Sequence, residues 1–424
     1  MNKYYNIAKN ELFSICRSIT GDGIRKSLNI IKNNFPKLKV IKIKSGKKIF
    51  DWKVPMEWNI KDAFVKDKKG NKIIDFKSNN LHVVNFSVPI NKKISKKDLL
   101  RKLHSNKKRL NAIPYMTSYY EKDWGFCTTH KQKKEIKRVY KSKDKFHVVI
   151  KSKLKKGNLV YGEYIIPGKS KKEILISTYL CHPSMANNEL SGPIVSMGLI
   201  NHFKRKKNLK TIRFIFIPET IGSICFLKKN LNYLKKHLIG GFNLSCIGDE
   251  RMYSYMPTIF GNTASDSSIE EAFKNLKIKF KKYNFIKDRG SDERQYNSPG
   301  VDLPIASIFR SKYGTYPEYH TSLDNFDIVT LKGVKQSLKV VVKAIQILLK
   351  KKVPIRNNLG EPHLSNNQYY KKLNNSLILR KNILDFLLLC DGRRDLQSIS
   401  KILNISERNT NSTYRLLIKM NLIR

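Results

Sequence analysis

The stretch Ile174–Gly192, ILISTYLCHPSMANNELSG, decides the fold of this chain. It begins with a short apolar run bounded by turn residues, which predicts a strand covered on both faces, as in a parallel sheet. His182 follows this run directly, and ligands of such sheets bind at the carboxyl ends of the strands. The stretch therefore predicts a buried strand that delivers a histidine to a functional site, with a satisfied structural histidine as the alternative.

Three later apolar runs also end in an acidic residue or a histidine, and these are Thr211–Glu219, Gly241–Asp249 and Leu303–His320. Imidazole and carboxylate groups at the ends of separate strands are the ligands of a catalytic zinc site, which keeps one position open for water. Each residue alone could be a turn residue or a helix N-cap. Their joint occurrence with His182 favours a zinc hydrolase site.

Five motifs occur in a fixed order along the chain: CHPSMANNELSGP, PETIGS, GDERMYSY, GSDERQY and YPEYHTSLDN. In this order they resemble the bacterial aminopeptidase-like proteins of polysaccharide-biosynthesis loci, relatives of the co-catalytic zinc aminopeptidases. Further matches at residues 45–65, 79–89 and 113–127 resemble that family's inserted domain. The resemblance implies an α/β fold: a zinc-aminopeptidase-like α/β/α sandwich with an inserted β-rich domain and a C-terminal winged helix-turn-helix domain.

The resemblance also implies roles for single residues. His182, Asp249 and His320 match the residues that hold zinc in the aminopeptidases, and Glu219 matches the glutamate region that supplies the general base. Asp324 could orient a ligand histidine from outside the metal shell, or cap the helix that begins near residue 328.

Two positions depart from the family pattern. Asn188 stands where two-metal aminopeptidases have a bridging aspartate, and Thr220 stands where they have a second glutamate. A neutral amide offsets none of the repulsion between two dications. Glu189 is adjacent and is a further candidate ligand. We therefore expect one zinc ion, with two as the alternative.

The implied reaction is hydrolysis of an amide-type bond in a small peptide or an N-acylated sugar. Zinc lowers the pKa of bound water towards ~7, and Glu219 would pass the water proton to the leaving amine. The alternative is a ligand sensor or regulator with little catalytic activity, which uses the aminopeptidase fold and a C-terminal domain that contacts DNA or a partner. The loss of carboxylates at Asn188 and Thr220 favours the sensor, whereas the retained ligands and base favour the enzyme.

Five further residues are candidates for substrate binding. Asp292, Glu293 and Arg294 of the GSDERQY motif are expected to line the pocket, where Arg294 could clamp a carboxylate or phosphate with two hydrogen bonds. A solvated turn is the alternative for this motif. Tyr253 and Tyr319 are candidate oxyanion donors or sugar-stacking faces, with packing as the alternative.

Composition agrees with this architecture. The chain has 424 residues, 40% of them hydrophobic, enough for two or three domains with real cores. No window approaches the ~20 apolar residues of a membrane span, and no apolar signal core is present, so we expect a cytoplasmic protein. The six cysteines lack a CxxC pair, which is typical of free thiols in a reducing compartment.

The formal net charge of +51 comes mostly from lysines spread over the whole chain. A nucleic-acid surface would concentrate its charge in a stripe with interleaved arginines and aromatic residues. We therefore interpret most lysines as solvated, with weak attraction to polyanions.

The sequence divides into three predicted domains. The aminopeptidase-like domain is discontinuous, covering residues 1–38 and 149–352, and a β-rich insert covers 39–148. After the linker Val353–Pro362, residues 366–424 show a winged-helix pattern whose third helix carries three basic residues, Arg408, Arg415 and Lys419. DNA binding is possible there, although docking or homo-oligomer formation is favoured.

Overall fold

The computed structural model describes residues 1–371 and 377–424. Its strands, numbered in chain order, are β1 Lys39–Lys44, β2 Lys48–Ile49, β3 Trp52–Lys53, β4 Glu57–Lys66, β5 Lys72–Asp75, β6 Ile90–Ser95, β7 Leu103–His104, β8 Phe126–Cys127, β9 Lys145–Lys155, β10 Asn158–Ile166, β11 Ser170–Tyr179, β12 Lys210–Ile217, β13 Leu238–Leu244, β14 Tyr253–Met256, β15 Phe280–Lys282 and β16 Ile305–Phe309.

The helices are α1 Asn2–Ile7, α2 Asp22–Asn34, α3 Lys96–Arg101, α4 His130–Val139, α5 Ser191–Phe203, α6 Ile221–His237, α7 Ala264–Asn275, α8 Phe285–Asp288, α9 Glu293–Tyr296, α10 Leu331–Lys350, α11 Gln368–Lys371, α12 Leu377–Leu388, α13 Leu396–Leu403 and α14 Glu407–Lys419. Short π-helical turns cover Ala8–Leu12 and Ala186–Leu190, and 3-10 turns cover Asn80–His82 and Leu364–Asn366. None of the helices in the described ranges combines the length and the apolarity that a membrane crossing requires.

The central sheet has eight strands in the order β1-β10-β12-β11-β13-β16-β14-β15. Strands β12, β11, β13 and β16 run parallel to one another. These four strands are the apolar runs singled out in the sequence, so the prediction of buried parallel strands is confirmed. The sheet as a whole is mixed, because β10 and β14 pair antiparallel with the parallel centre.

The alternation of side chains along β11 explains why helices cover both faces of this sheet. Ile174 and Ile176 join an apolar cluster with residues of α5, α7 and α10, whereas Leu175 joins a second cluster with residues of α6 and α9 on the opposite face. Successive strand residues point to opposite faces. Successive apolar residues of β11 are therefore buried on opposite faces of the sheet, and the result is a mixed α/β fold.

A second, antiparallel sheet has the strand order β5-β4-β9-β6. It has an apolar cluster of its own, which includes Val65, Phe146 and Val148. The predicted insert boundaries do not coincide with the sheets. β1 lies after residue 38 but belongs to the central sheet, and β9 belongs to the second sheet although it runs past residue 148. The change from helices to strands near residue 39 therefore marks the first strand of the central sheet and not the start of the second sheet. The division into domains stays a prediction.

The predicted winged-helix segment includes residues 372–376, which lie outside the described residues. Its described part contains α11 to α14 around an apolar cluster with Ile383, Phe386 and Leu417. Single β-bridges join Ile355 to Asp391 and Arg356 to Ile423. The winged-helix interpretation and its contact with DNA stay predictions.

Candidate active site

The parallel strands end at one edge of the central sheet, and predicted site residues follow them there. β11 ends at Tyr179 and leads to His182, while β12 ends at Ile217 and leads to Glu219. After β16 a turn-rich loop leads to His320. The strand ends therefore bring together side chains that are far apart in the sequence, as expected for an open α/β sheet.

The two predicted histidine ligands lie next to each other. The ring centroids of His182 and His320 are 5.5 Å apart, and Nε2 of His182 lies 3.5 Å from Oε2 of Glu219. Within the described part of the chain, Nε2 of His320 is buried without a hydrogen-bond partner. Burial and the neighbouring His182 lower the pKa of His320 to about 3, so its ring is neutral at pH 7 and able to act as a metal ligand.

His182 is also fixed through its other nitrogen. Nδ1 lies 2.7 Å from Oε2 of Glu189, and Oε1 of Glu189 lies 3.6 Å from Nε of Arg17, with both side chains fully buried. Arg17 Nε donates to the carbonyl oxygen of His182 at 2.9 Å. Burial alone would lower the pKa of His182, but its contacts with Cys181 and Glu189 raise it well above its ordinary value, so a metal ion that binds at Nε2 must displace a proton.

A segment between the strands of the second sheet completes the wall around the histidines. The ring centroid of Tyr115 lies 5.2 Å from those of both His182 and His320, and its backbone N–H donates to the carbonyl oxygen of His320 at 2.8 Å. Ile113 and Ser322 exchange two further hydrogen bonds. His320 has a φ of 53°, a left-handed conformation uncommon for a residue other than glycine, and this docking holds it there.

The proposed base, Glu219, is partly exposed, with a side-chain exposure of 24%. The Ser291 hydroxyl donates a hydrogen bond to its Oε1, and its own backbone N–H donates to Sγ of Cys181 at 3.3 Å. Burial raises the pKa of Glu219. A carboxylate with a raised pKa is a better proton acceptor at neutral pH.

Thr220 and Asp292 fix the backbone turn that follows Glu219. Thr220 has a φ of 63° and a ψ of −76°, and the Ile221 N–H donates to the carbonyl oxygen of Glu219 at 2.8 Å. This is a three-residue γ-turn of the strained class. Asp292 is fully buried and accepts a hydrogen bond from Ser223 at 2.8 Å. Burial, assisted by the nearby Glu219, raises the pKa of Asp292 to about 8.

Asp324 organises the loop that follows His182. Its carboxylate accepts backbone N–H bonds from Ala186, Asn187 and Asn188 at 3.2, 2.5 and 2.9 Å, and a hydroxyl bond from Tyr316 at 2.7 Å. Burial raises the pKa of Asp324 to about 6. Asp324 thus positions the loop rather than capping a later helix.

Asn188 is buried at the end of β11. Its amide nitrogen donates to the Tyr179 hydroxyl at 2.6 Å and to Sγ of Cys246 at 3.6 Å. Its Oδ1 has no partner among the described residues. The position that matches the bridging aspartate of two-metal aminopeptidases therefore carries a neutral side chain, which is held in place through its amide nitrogen.

Both carboxylate oxygens of Asp249 accept hydrogen bonds from nearby residues. Its Oδ2 accepts from the Asn187 amide at 2.8 Å and from the Ser311 N–H at 3.4 Å, and its Oδ1 accepts from the Arg251 N–H at 2.8 Å. β13 ends at Leu244, so Asp249 follows a turn beyond the strand end.

One group of three potential ligand atoms within 4.8 Å of one another stands out among the described residues, and it consists of Cys181, His182 and Glu189. Asp249 and His320 are not part of this group. The zinc-ligand role of Asp249 stays a prediction.

The GSDERQY motif forms α9 and the loop before it. Glu293 is buried and accepts backbone N–H bonds from Gly290 and Ser291 and a hydroxyl bond from Tyr313 at 2.5 Å, so it shapes the loop. Arg294 is exposed and donates to Oγ1 of Thr220 at 3.1 Å.

The two candidate tyrosines differ in position. Tyr319 stacks on the His320 ring with centroids 3.9 Å apart. The structure does not bring Tyr253 to the histidines, because its ring lies in the core against Phe273 and Arg310. Substrate binding by these residues stays a prediction.

Sequence reasoning missed Arg17, Tyr115 and Ser291. Each lies outside the strand ends from which the site was predicted, and each arrives through tertiary contacts. Signals existed in the sequence: Ser291 lies in the GSDERQY motif, and Tyr115 lies in the matching stretch 113–127. For Arg17 the signal is weaker: in a chain whose basic residues are mostly lysine, an arginine indicates a position that needs the planar guanidinium.

Comparison with known proteins agrees with the motifs. Residues 5–351 match the family model described as "Domain of unknown function (DUF4910)". A Clostridium acetobutylicum protein named "Putative polysaccharide biosynthesis protein with aminopeptidase-like domain" is 41% identical over 370 residues, which cover 87% of this chain and 83% of the relative.

Solved structures show the same fold. A crystal structure titled as a putative peptidase from Clostridium acetobutylicum has a TM-score of 0.79 and 37% identity, covering 100% of this chain and 96% of that chain. A zinc aminopeptidase from Bacillus subtilis has a TM-score of 0.60 at 15% identity, with coverages of 82% and 94%. A peptidase M28 precursor from Shewanella amazonensis has a TM-score of 0.60 at 12% identity, with coverages of 85% and 95%. The chain therefore belongs to the DUF4910 family of aminopeptidase-like proteins.

Proposed function

We propose that the protein is a zinc-dependent hydrolase of an amide-type bond. The pairing of His182 with His320, opposite the carboxylate of Glu219, carries this proposal. The fold shared with zinc aminopeptidases supports it. The name of the Clostridium relative supports a role in polysaccharide biosynthesis, where the substrate would be a small peptide or an N-acylated sugar.

The residues at this edge fit a zinc ion. The buried, unpartnered Nε2 of His320 is a neutral nitrogen donor, and Nε2 of His182 faces the same space as Glu219. Imidazole nitrogens with a carboxylate are a usual zinc ligand set. His182 and His320 would hold the ion, with Asp249 as the carboxylate that the motif assigns. When bound, zinc supplies a Lewis acid that polarises the scissile carbonyl and acidifies water.

Side chains of the protein would carry out the proton transfer and the contacts with the substrate. Glu219 would accept the proton of the attacking water at Oε2 and deliver it to the leaving nitrogen. Ser291 holds Oε1 of the same carboxylate, so Oε2 stays directed towards His182. The partly exposed Tyr319 and the exposed Arg294 are the candidate residues that contact the substrate.

The test is the metal content of the purified protein, measured by elemental mass spectrometry. We expect about one zinc ion per chain, as in catalytic sites with three protein ligands, and its loss in His182→Ala and His320→Ala. His202→Ala on α5 is the matched control and should keep the metal. Asp249→Asn tests the third ligand: retention of zinc would assign Asp249 to its hydrogen bonds with Asn187 and Arg251.

A metal-free protein, purified without chelator, would overturn the proposal and favour a sensor. If zinc is present, release of a free amine from N-acylated sugars and short peptides identifies the substrate class. A zinc-loaded protein that releases no amine from either class would contradict the amide-bond assignment.

A further inference from the structure

We propose that Glu189, held by Arg17, is a positioning residue that orients His182 so that Nε2, and not Nδ1, faces the metal. This inference rests on the proposed function. It assigns Glu189 to a place behind the ligand histidine and not to the metal shell.

The two nitrogens of His182 face different surroundings. Nδ1 is 2.7 Å from Oε2 of Glu189, a length typical of a charge-assisted hydrogen bond. Zinc bonds of about 2.0–2.2 Å in a tetrahedral site would hold two ligand atoms about 3.3 Å apart. The observed contact is therefore too short for an ion bound by both atoms, whereas Nε2 faces Glu219 at 3.5 Å.

The Cys181 thiol is also a poor candidate for a ligand in this arrangement. Its Sγ lies 3.6 Å from Nδ1 of His182 and accepts the backbone N–H of Glu219 at 3.3 Å. Cys181 packs in the apolar cluster on the side of α6. Its contacts are thus on the Nδ1 side, behind the ring.

Arg17 explains why a carboxylate can be buried behind His182. Its Nε lies 3.6 Å from Oε1 of Glu189, and the exposed fraction of both side chains is 0%. A guanidinium this close would repel a dication bound by the same carboxylate, but it offsets the charge of a carboxylate that only accepts hydrogen bonds. Arg17 also donates to the His182 carbonyl, so one arginine holds the ligand's backbone and its orienting carboxylate.

Carboxylates that accept the second ring N–H of a ligand histidine fix its orientation and strengthen the metal bond. Glu189 has the geometry for this role, and it lies in the π-helical turn Ala186–Leu190 that Asp324 anchors. The turn and the arginine together hold Oε2 of Glu189 at Nδ1.

The test combines zinc affinity with the identity of the ligand atoms. Zinc dissociation constants are measured by competition with a chromophoric chelator for the unchanged protein, Glu189→Gln and Cys181→Ser. Glu173→Gln is the matched control, because Glu173 is equally buried and pairs with Arg213 at the opposite end of β11. We expect Glu189→Gln to weaken zinc binding by about 10- to 100-fold with unchanged stoichiometry at saturation, and Cys181→Ser and Glu173→Gln to keep the affinity of the unchanged protein.

X-ray absorption at the zinc edge of the unchanged protein gives an answer that does not depend on any variant. We expect nitrogen and oxygen ligands only. A sulfur ligand at about 2.3 Å would show that Cys181 binds the ion on the Nδ1 side and would overturn the inference. Loss of stoichiometric binding in Glu189→Gln, or an unchanged affinity, would also overturn it. These outcomes leave the proposed function standing, whereas absence of zinc from the unchanged protein removes both.

Discussion

The backbone N–H of Thr220 donates to Oδ1 of the buried Asp292 at 2.7 Å, in the turn that presents the carboxylate of Glu219. Thr220 has a φ of 63°, which is a genuine outlier for a β-branched residue. The hydrogen bond to Asp292 therefore stabilises a strained turn, and the strain lies next to the proposed base. Strained residues that persist in this way cluster at functional sites.

Replacing Thr220 with glycine should release this strain. Glycine adopts a positive φ without steric cost, so we expect Thr220→Gly to raise the free energy of unfolding by about 1 kcal/mol. Denaturant unfolding measures the change, and Thr220→Ala, which keeps a Cβ, should not stabilise the protein. A glycine variant less stable than the alanine variant would show that the turn is not strained.

Glu219→Gln should separate metal binding from turnover. Glutamine keeps the shape of the side chain and its hydrogen bond with Ser291, but it cannot accept the proton of the attacking water. We expect zinc content to stay unchanged and the turnover number to fall by at least about 100-fold. A variant with full activity would contradict the assigned role of Glu219.

Asn188→Asp tests why one zinc is expected rather than two. The amide oxygen of Asn188 has no partner among the described residues, and a carboxylate there would add the negative charge that a second dication needs. We expect zinc stoichiometry, measured by elemental mass spectrometry, to rise towards about two per chain. An unchanged value would mean that another missing ligand, such as a carboxylate at Thr220, limits the site.

Tyr115 should control both stability and zinc binding, because its ring touches both histidines. Tyr115→Ala should lower the free energy of unfolding by about 3–5 kcal/mol through the cavity it leaves, and should weaken zinc binding as His320 loses its support. Tyr115→Phe keeps the ring and removes only the hydroxyl contact with Tyr119, so it should bind zinc as before. If Tyr115→Ala binds zinc as tightly as the unchanged protein, the segment around Tyr115 does not support the zinc site.

Glu57 links the second sheet to the central one and should make this contact sensitive to acid. Its carboxylate accepts two hydrogen bonds from Arg25 and one from the Asn158 N–H. Burial raises the pKa of Glu57, but these bonds outweigh it and leave the pKa below its ordinary value. The native carboxylate therefore contributes stability above the unfolded pKa of about 4.3, and this contribution is lost as the pH falls through the folded pKa.

Glu57→Gln should accordingly lower the free energy of unfolding at pH 7 by about 1–3 kcal/mol. The difference from the unchanged protein should shrink as the pH falls below the unfolded pKa of about 4.3 and through the lower folded pKa, below which the Glu57 carboxyl is neutral in both states. Unfolding measured across pH 3 to 8 checks this, with the exposed Asp51→Asn as control. A difference that does not depend on pH would assign the effect to packing.

Local pattern was enough to predict the strands of the parallel centre and the meeting of His182, Glu219 and His320. Apolar runs determine the strands, and parallel strands end at one edge. Tertiary contacts could not be derived in the same way. The approach of Arg17 to Glu189, or of Tyr115 to His320, depends on how separate segments pack, and no spacing in the chain encodes it.

Asp249 is assigned to the zinc site by its motif alone. Its place in the GDERMYSY motif predicts a zinc ligand, and in the structure the residue follows a turn after β13 and accepts three hydrogen bonds. Its role as a ligand therefore stays a prediction, which the zinc content of Asp249→Asn tests.

The docking of Ile113 on Ser322 joins positions separated by 209 residues. Closing a loop of this length costs conformational entropy before the contact stabilises the chain, so we expect this docking to form late in folding. His320 reaches its place beside His182 through this contact and that of Tyr115. Capture of zinc would thus mark the completion of folding, and a newly synthesised, partly folded chain would carry both histidines without being able to retain the ion.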